Sequence, residues 1–257
     1  MGKTIFNKNQ LIKFILILFF LCKAAMVPAY AVLPNNKVQN HLTSSVVNIQ
    51  GTHHQEIIVL IHGLMRTYMS MRPLKSYLES QGYQVYYYSY PSAKYTIQQH
   101  AVYLNQFVAK LLEENSGVKI HFITHSLGGI IIREALFKLS HTQLKNIGSL
   151  IMLAPPNQGS VLAKISIKIF PIITFFIRPL AELSSDEASY VHHVPVPDIK
   201  IGIIAGRFDA KVPPSAAYLE GQTAPVVINS THTFIMNHAK TKQLIMSFLK
   251  TGTFDME

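Results

Sequence analysis

The chain of 257 residues has no tryptophan and a single cysteine, Cys22. Cys22 falls inside the leader described below, so the rest of the chain carries no thiol. That excludes a disulfide framework and a zinc-thiolate site, and leaves stability to packing alone. Acidic residues are also scarce, 13 against 23 basic ones, and no run of lysine or arginine stands out. A positive balance scattered in this way supports no nucleic-acid surface, and its usual consequence is solubility. Of the 12 histidines, His53-His54 and His192-His193 are adjacent pairs, whose side chains diverge on a strand or a helix. No H-E-x-x-H or cysteine-histidine spacing occurs, so neither a metal nor a cofactor is expected.

What is present begins with residues 1–31. Lys3, Lys8 and Lys13 stand without an acid, the apolar stretch Phe14 to Leu21 follows, and Ala29-Tyr30-Ala31 forms an A-x-A site. The pattern is that of a secretory signal peptide cleaved near Ala31, and the stretch is too short to span a bilayer, which takes about 20 residues. Leu21 before Cys22 does not suit lipid attachment. Export to the periplasm or the medium is therefore expected. Residues 32–257 fit one sizeable domain.

Within that domain, Ile57 to Ile61, Val85 to Tyr88, Ile120 to Ile123, Leu150 to Leu153, Ile199 to Ile204 and Val226 to Ile228 read as strands, several of them continuously apolar. Continuous apolarity marks strands buried on both faces. Helical patterns lie between them: Pro73 to Gly82, a capping box at Thr96 and Gln99 opening Ile97 to Leu111, Leu127 to Leu139, and His238 to Leu249. Strands and helices in alternation predict an α/β fold, a mostly parallel central sheet with helices on both faces and its sites at the carboxyl ends of the strands. Val46-Val47 reads as one edge strand. Residues 160–197 break the rhythm, being rich in isoleucine and phenylalanine without a clean strand. They are expected as an apolar cap insertion, with a helical hairpin buried in the core as the alternative.

The segment Thr124-His125-Ser126-Leu127-Gly128-Gly129 joins a strand to a helix. It approaches G-x-S-x-G, the turn that presents a nucleophilic serine at a strand's carboxyl end, with Thr124 where the first glycine would stand. A serine hydroxyl needs a base within reach and a third group to orient that base. Asp209 follows the fifth strand and His232 the sixth, in the serine, acid, histidine order such turns accompany. Both therefore fall on the rim that carries Ser126, with Glu220 and Asp198 as alternative acids. Acyl transfer also needs donors for an oxyanion. The Leu127 N–H at the helix start and the Leu64 N–H after His62-Gly63 are the candidates. His125 is read as packing at the pocket edge rather than acting as base.

With Leu60-Ile61-His62-Gly63-Leu64, Thr124 to Gly129, Leu153 to Ser160, Asp209 and His232 in view, the chain resembles the α/β-hydrolase superfamily. The resemblance is to its bacterial lipase and esterase branch, including inositol-deacylase-like and triacylglycerol-lipase-like serine hydrolases. It implies hydrolysis of carboxylic esters, with Ser126 as nucleophile, His232 as general acid and base, and Asp209 orienting it, and the apolar insert points to lipid or acyl esters as substrates. The apolar cap adds the expectation of a transient membrane-surface contact. An acyltransferase using the same three residues and a non-catalytic binding protein of the same fold are the other readings.

Overall fold

The computed structural model describes residues 56–255. The leader and Val46-Val47 lie outside them. The elements follow in the order β1 (Glu56–Ile61), α1 (Arg72–Ser80), β2 (Gln84–Tyr88), α2 (Ile97–Glu114), β3 (Lys119–His125), α3 (Leu127–Phe137), α4 (His141–Leu144), β4 (Ile147–Leu153), α5 (Val161–Ile169), α6 (Ile173–Phe176), α7 (Pro179–Glu182), β5 (Ile201–Gly206), α8 (Pro214–Ala217), β6 (Val226–Ile228) and α9 (Ala239–Thr251), with short 3-10 turns between some of them.

Six strands form one sheet in the order β2-β1-β3-β4-β5-β6, every neighbouring pair parallel. Side chains alternate across it. Ile57, Val59 and Ile61 of β1 join a core with α2 and α3, while Ile58 and Leu60 join a second core with α1 and α9. Burial on both faces explains why these strands read as unbroken apolar runs. α3 packs behind the central strand, and every residue from Leu127 to Leu136 is buried.

Two strands differ from their sequence pattern for a physical reason. β4 begins at Ile147, three residues before the apolar run, and includes Gly148 and Ser149. The ring of His121 occupies the space where a side chain on Gly148 would lie, since a Cβ there would come within 2.2 Å of it, and His121 Nδ1 pairs with Ser149 Oγ at 2.8 Å. β5 runs from Ile201 to Gly206 instead of Ile199 to Ile204, with Gly202 leaving room for Phe248 and Phe254. The helices deviate only at their ends: α3 stops at Phe137 rather than Leu139, and α9 spans Ala239–Thr251. The capping box of Thr96 and Gln99 is present, and a second, at Ser140 and Gln143, opens α4.

Residues 160–197 hold three short helices, α5 to α7, and no named strand. The segment leaves the carboxyl end of β4 and is tied to the loops beyond β5 and β2. Ser160 Oγ donates to Lys211 O at 3.0 Å, Arg178 N to Ala93 O at 2.9 Å, and Ile97 N to Glu182 Oε2 at 2.7 Å. Its inner side chains, Ala163, Leu183, Val191 and Val194, join the α2/α3 core. Its outer ones do not: Ile172 and Phe175 are 64% and 72% exposed.

Candidate active site

β3 is flanked by β1 and β4, so the residue that follows it emerges at the middle of the sheet. That residue is Ser126, with φ 51° and ψ −124°. An L-residue held there costs about 1–3 kcal/mol. Burial of flanking side chains such as Ile123 and Leu127, worth about 1.5–3 kcal/mol each, outweighs it. The Ser126 N–H donates to Leu153 O and its carbonyl accepts from Gly129 N, both at 2.9 Å. Its side chain caps no helix N–H, so the hydroxyl is not consumed by the turn. Met65 and Ala154 are the other two non-glycine residues with positive φ among those described. With Ser126 they follow β1, β3 and β4, so backbone strain gathers on one rim.

Glycines set the closeness of the turn. A Cβ on Gly128 would lie 2.8 Å from His62 O, and one on Gly63 would lie 2.9 Å from Ser126 Cβ. The loop after β1 therefore presses directly on the serine. Leu64 follows Gly63 in the chain and Leu127, the first residue of α3, follows Ser126, so each is next in sequence to one partner of that contact. The Leu127 N–H is one of the donors a helix start leaves free.

The β1 loop is fixed from below by a residue pair that no sequence motif announces. His62 and Tyr90 stack at 4.4 Å, the Tyr90 hydroxyl donates to His62 O at 2.8 Å, and Tyr90 N approaches His62 Nε2 at 3.4 Å. His62 Nδ1 donates to Gly63 O at 3.0 Å. Burial pushes the His62 pKa down to about 4, so the ring is neutral, as that hydrogen-bond pattern requires. Met65 N donates to Ser92 Oγ at 3.0 Å, which adds a second tie to the segment after β2.

Asp209 and His232 meet on the same rim. His232 Nδ1 donates to Asp209 Oδ2 at 2.7 Å, and Asp209 Oδ1 accepts from Lys211 N and Val212 N at 2.9 and 2.8 Å. Both carboxylate oxygens are thus engaged. The pairing leaves His232 Nε2 with its lone pair free, the form a general base needs. Asp198 and Glu220 are exposed and make no bond to His232. Among the described residues no hydrogen bond joins Ser126 Oγ to His232; the nearer link runs through His125. His125 Nε2 lies 2.9 Å from His232 O, and the two rings are 4.7 Å apart.

Sequence reasoning also missed Arg133. It is 3% exposed on α3, and donates to Asn157 Oδ1 at 2.8 Å, to Pro195 O at 3.3 Å and to Val194 O. Asn157 Nδ2 in turn donates to Ala217 O at 2.8 Å. The strut holds the turn's helix, the loop after β4 and the end of the 160–197 segment together. One signal was available: Arg133 and Glu134 are charges inside an otherwise apolar helical run. Among the described residues no cluster of His, Cys, Asp and Glu could hold a metal ion, and no helix is long and apolar enough to cross a membrane.

A parallel sheet covered on both faces, with a serine on a strained turn after the central strand and an Asp-His pair beyond later strands, is the arrangement of the α/β-hydrolase fold. The chain has that fold. A family described as "Putative serine esterase (DUF676)" matches residues 52–171. The fold is similar to that of Bacillus licheniformis lipase BlEst2 in its mature form, with a TM-score of 0.61 and 17% identity over 78% of this chain and 93% of the lipase. The metagenomic carboxyl esterase MGS0156 gives 0.61 and 18% over 84% and 80%. Aspergillus fumigatus lipase B gives 0.63 and 15% over 80% of this chain and 55% of its own. No curated protein matches by sequence. The matched stretch is similar to a serine esterase family, and the fold is that of the α/β-hydrolases.

Proposed function

We propose that the chain is an exported serine hydrolase that cleaves carboxylic esters, lipid or acyl esters in particular, through an acyl-enzyme on Ser126. The observation that carries this is the Asp209–His232 pair at 2.7 Å on the rim that presents Ser126 with φ 51°. In this mechanism His232 Nε2 takes the Ser126 proton as Oγ attacks the ester carbonyl. The Leu64 and Leu127 N–H groups receive the oxyanion, and His232 returns the proton to the leaving alcohol. Water activated by the same imidazole then releases the acid. Catalytic hydrogen bonds of this kind tighten when substrate binds, which accommodates a Ser126 hydroxyl not yet paired with its base.

The lipid part of the proposal is supported by residues 160–197, acting as a cap. They expose Ile165, Ile169, Ile172 and Phe175 beside Lys164, Lys168 and Arg178, and the first acid in the segment is Glu182. An apolar surface edged with cations suits transient contact with an anionic lipid aggregate. Export is supported by Lys3, Lys8, Lys13, the apolar stretch after them and Ala29-Tyr30-Ala31.

The experiment is turnover of p-nitrophenyl esters of graded chain length by wild type and Ser126→Ala, with labelling by a fluorophosphonate. Turnover and an adduct in the wild type only are expected. Undiminished activity in Ser126→Ala would sink the mechanism, and reaction of only the shortest esters would leave a carboxylesterase in place of a lipase. Mass analysis of the exported chain tests cleavage after Ala31.

A further inference from the structure

The neighbour of the serine, His125, has a burial and bonding pattern that the mechanism above does not use. It is 1% exposed, at the last position of β3. Its Nε2 lies 2.9 Å from the backbone carbonyl of His232, 107 residues away in sequence. A carbonyl oxygen only accepts, so Nε2 carries the proton and Nδ1 the lone pair. That Nδ1 is buried without a partner among the described residues, and the space above it is closed by Gly63, whose Cβ would come within 2.9 Å. An unpartnered polar atom in a dry site costs about 1–3 kcal/mol. A leucine or phenylalanine would avoid that cost if the position served packing alone.

The loop that bears His232 is held at several points, among them the Phe208 N–H donating to Ser230 O at 3.0 Å. Asp209 fixes the imidazole at Nδ1, and Arg66 Nη2 donates to Thr233 Oγ1 at 3.0 Å. Among the described residues, it is His125 that takes hold of the backbone of residue 232 itself. It does so from the strand that ends in the serine, so the base is referenced to the position of Ser126 rather than to its own strand. We propose that His125 is a positioning residue that sets the distance between the His232 imidazole and the Ser126 hydroxyl by donating its Nε2–H to the His232 carbonyl. Burial and the nearby His232 push the His125 pKa well below the ordinary value, which keeps the ring neutral beside the site where His232 becomes a cation. Two adjacent imidazolium rings are thereby avoided.

The proposal rests on Ser126 and His232 being nucleophile and base, and its test separates the two ideas. His125→Phe keeps a ring without a donor, His125→Gln can place an amide N–H near Nε2, and His125→Asn reaches only the Nδ1 position. Because a misplacement near 1 Å costs about 100-fold, kcat for a p-nitrophenyl ester is expected to fall at least about 10-fold in Phe and Asn. KM should stay within about twofold and the Gln variant should recover most of the loss. The fluorophosphonate labelling rate should follow kcat. The low-field proton signal of His232 Nδ1 bonded to Asp209 should stay sharp in wild type and Gln and broaden in Phe. Wild-type kcat in Phe, or a folded Gln variant as slow as Phe, overturns the proposal. Should Phe fail to fold, Gln against Asn decides it, and equal activity of those two overturns it. If the wild type turns over no ester and takes no label, the functional reading falls. The proton signal then decides the positioning role alone, an unchanged signal in Phe overturning it.

Discussion

The side chain of Thr124 occupies space that Gly129 leaves empty: a Cβ on Gly129 would come within 3.1 Å of Thr124 Oγ1 and of Met152 Sδ. The threonine that stands in place of the usual first glycine is accommodated by the glycine five residues on. Thr124 Oγ1 is buried and has no hydrogen-bond partner among the described residues. Thr124→Val should therefore raise stability by about 1 kcal/mol, because the orphaned hydroxyl is replaced by a methyl of the same shape. Thermal unfolding measures it, and a loss would mean that the hydroxyl has a partner.

Gly128 faces backbone on the other side of the turn, with His62 O at 2.8 Å and Ile61 O at 2.9 Å from a would-be Cβ. Neither can rotate away. Gly128→Val should abolish ester turnover and cost about 3 kcal/mol or more. An active Gly128→Val enzyme would show that the turn does not position the nucleophile.

Asp209 serves two masters, the His232 ring on one oxygen and two backbone N–H groups on the other. In Asp209→Asn the amide must either turn its NH2 toward those N–H groups or offer it to His232, which would favour the wrong tautomer. Steady-state kinetics should show kcat reduced by about 10⁴-fold, as when the equivalent carboxylate of a serine protease is amidated. Retained activity would move the assignment to another acid.

Arg133 holds Asn157, Val194 and Pro195 through three donors, and burial lowers its pKa to about 10 while leaving it charged at neutral pH. Arg133→Met fills part of the volume but leaves two carbonyls and an amide oxygen unpaired. Denaturant unfolding should register a loss of about 2–4 kcal/mol. Proteolysis within residues 160–197 should quicken in parallel.

His62 and His100 are both pushed down to about 4 by burial. Each is neutral in the fold, whereas in the unfolded chain it takes up a proton below pH 6.5. The stability they provide is therefore complete above pH 6.5 and is lost as pH falls toward 4, on the order of 3 kcal/mol apiece. Unfolding free energy should decline between pH 6.5 and 5, before most carboxylates titrate. His100→Phe should flatten that decline by about one proton.

Local pattern by itself determined the parallel sheet and the rim positions of Ser126, Asp209 and His232. Strands buried on both faces are unbroken apolar runs, and parallel strands deliver the residues after them to one edge. The sequence misled where an apolar run was interrupted by tertiary packing, as at Gly148 and Ser149, where His121 from the adjacent strand fills the missing volume. What joins the rim together was decided by tertiary structure alone. The bonds of His125 to His232, Arg133 to Val194 and Tyr90 to His62 link residues 107, 61 and 28 positions apart. Each depends on where the folded backbone places an acceptor, and a periodicity in the chain carries no record of that. The same holds for Thr124, which departs from the motif when read alone and fits once Gly129 is seen to make room for it.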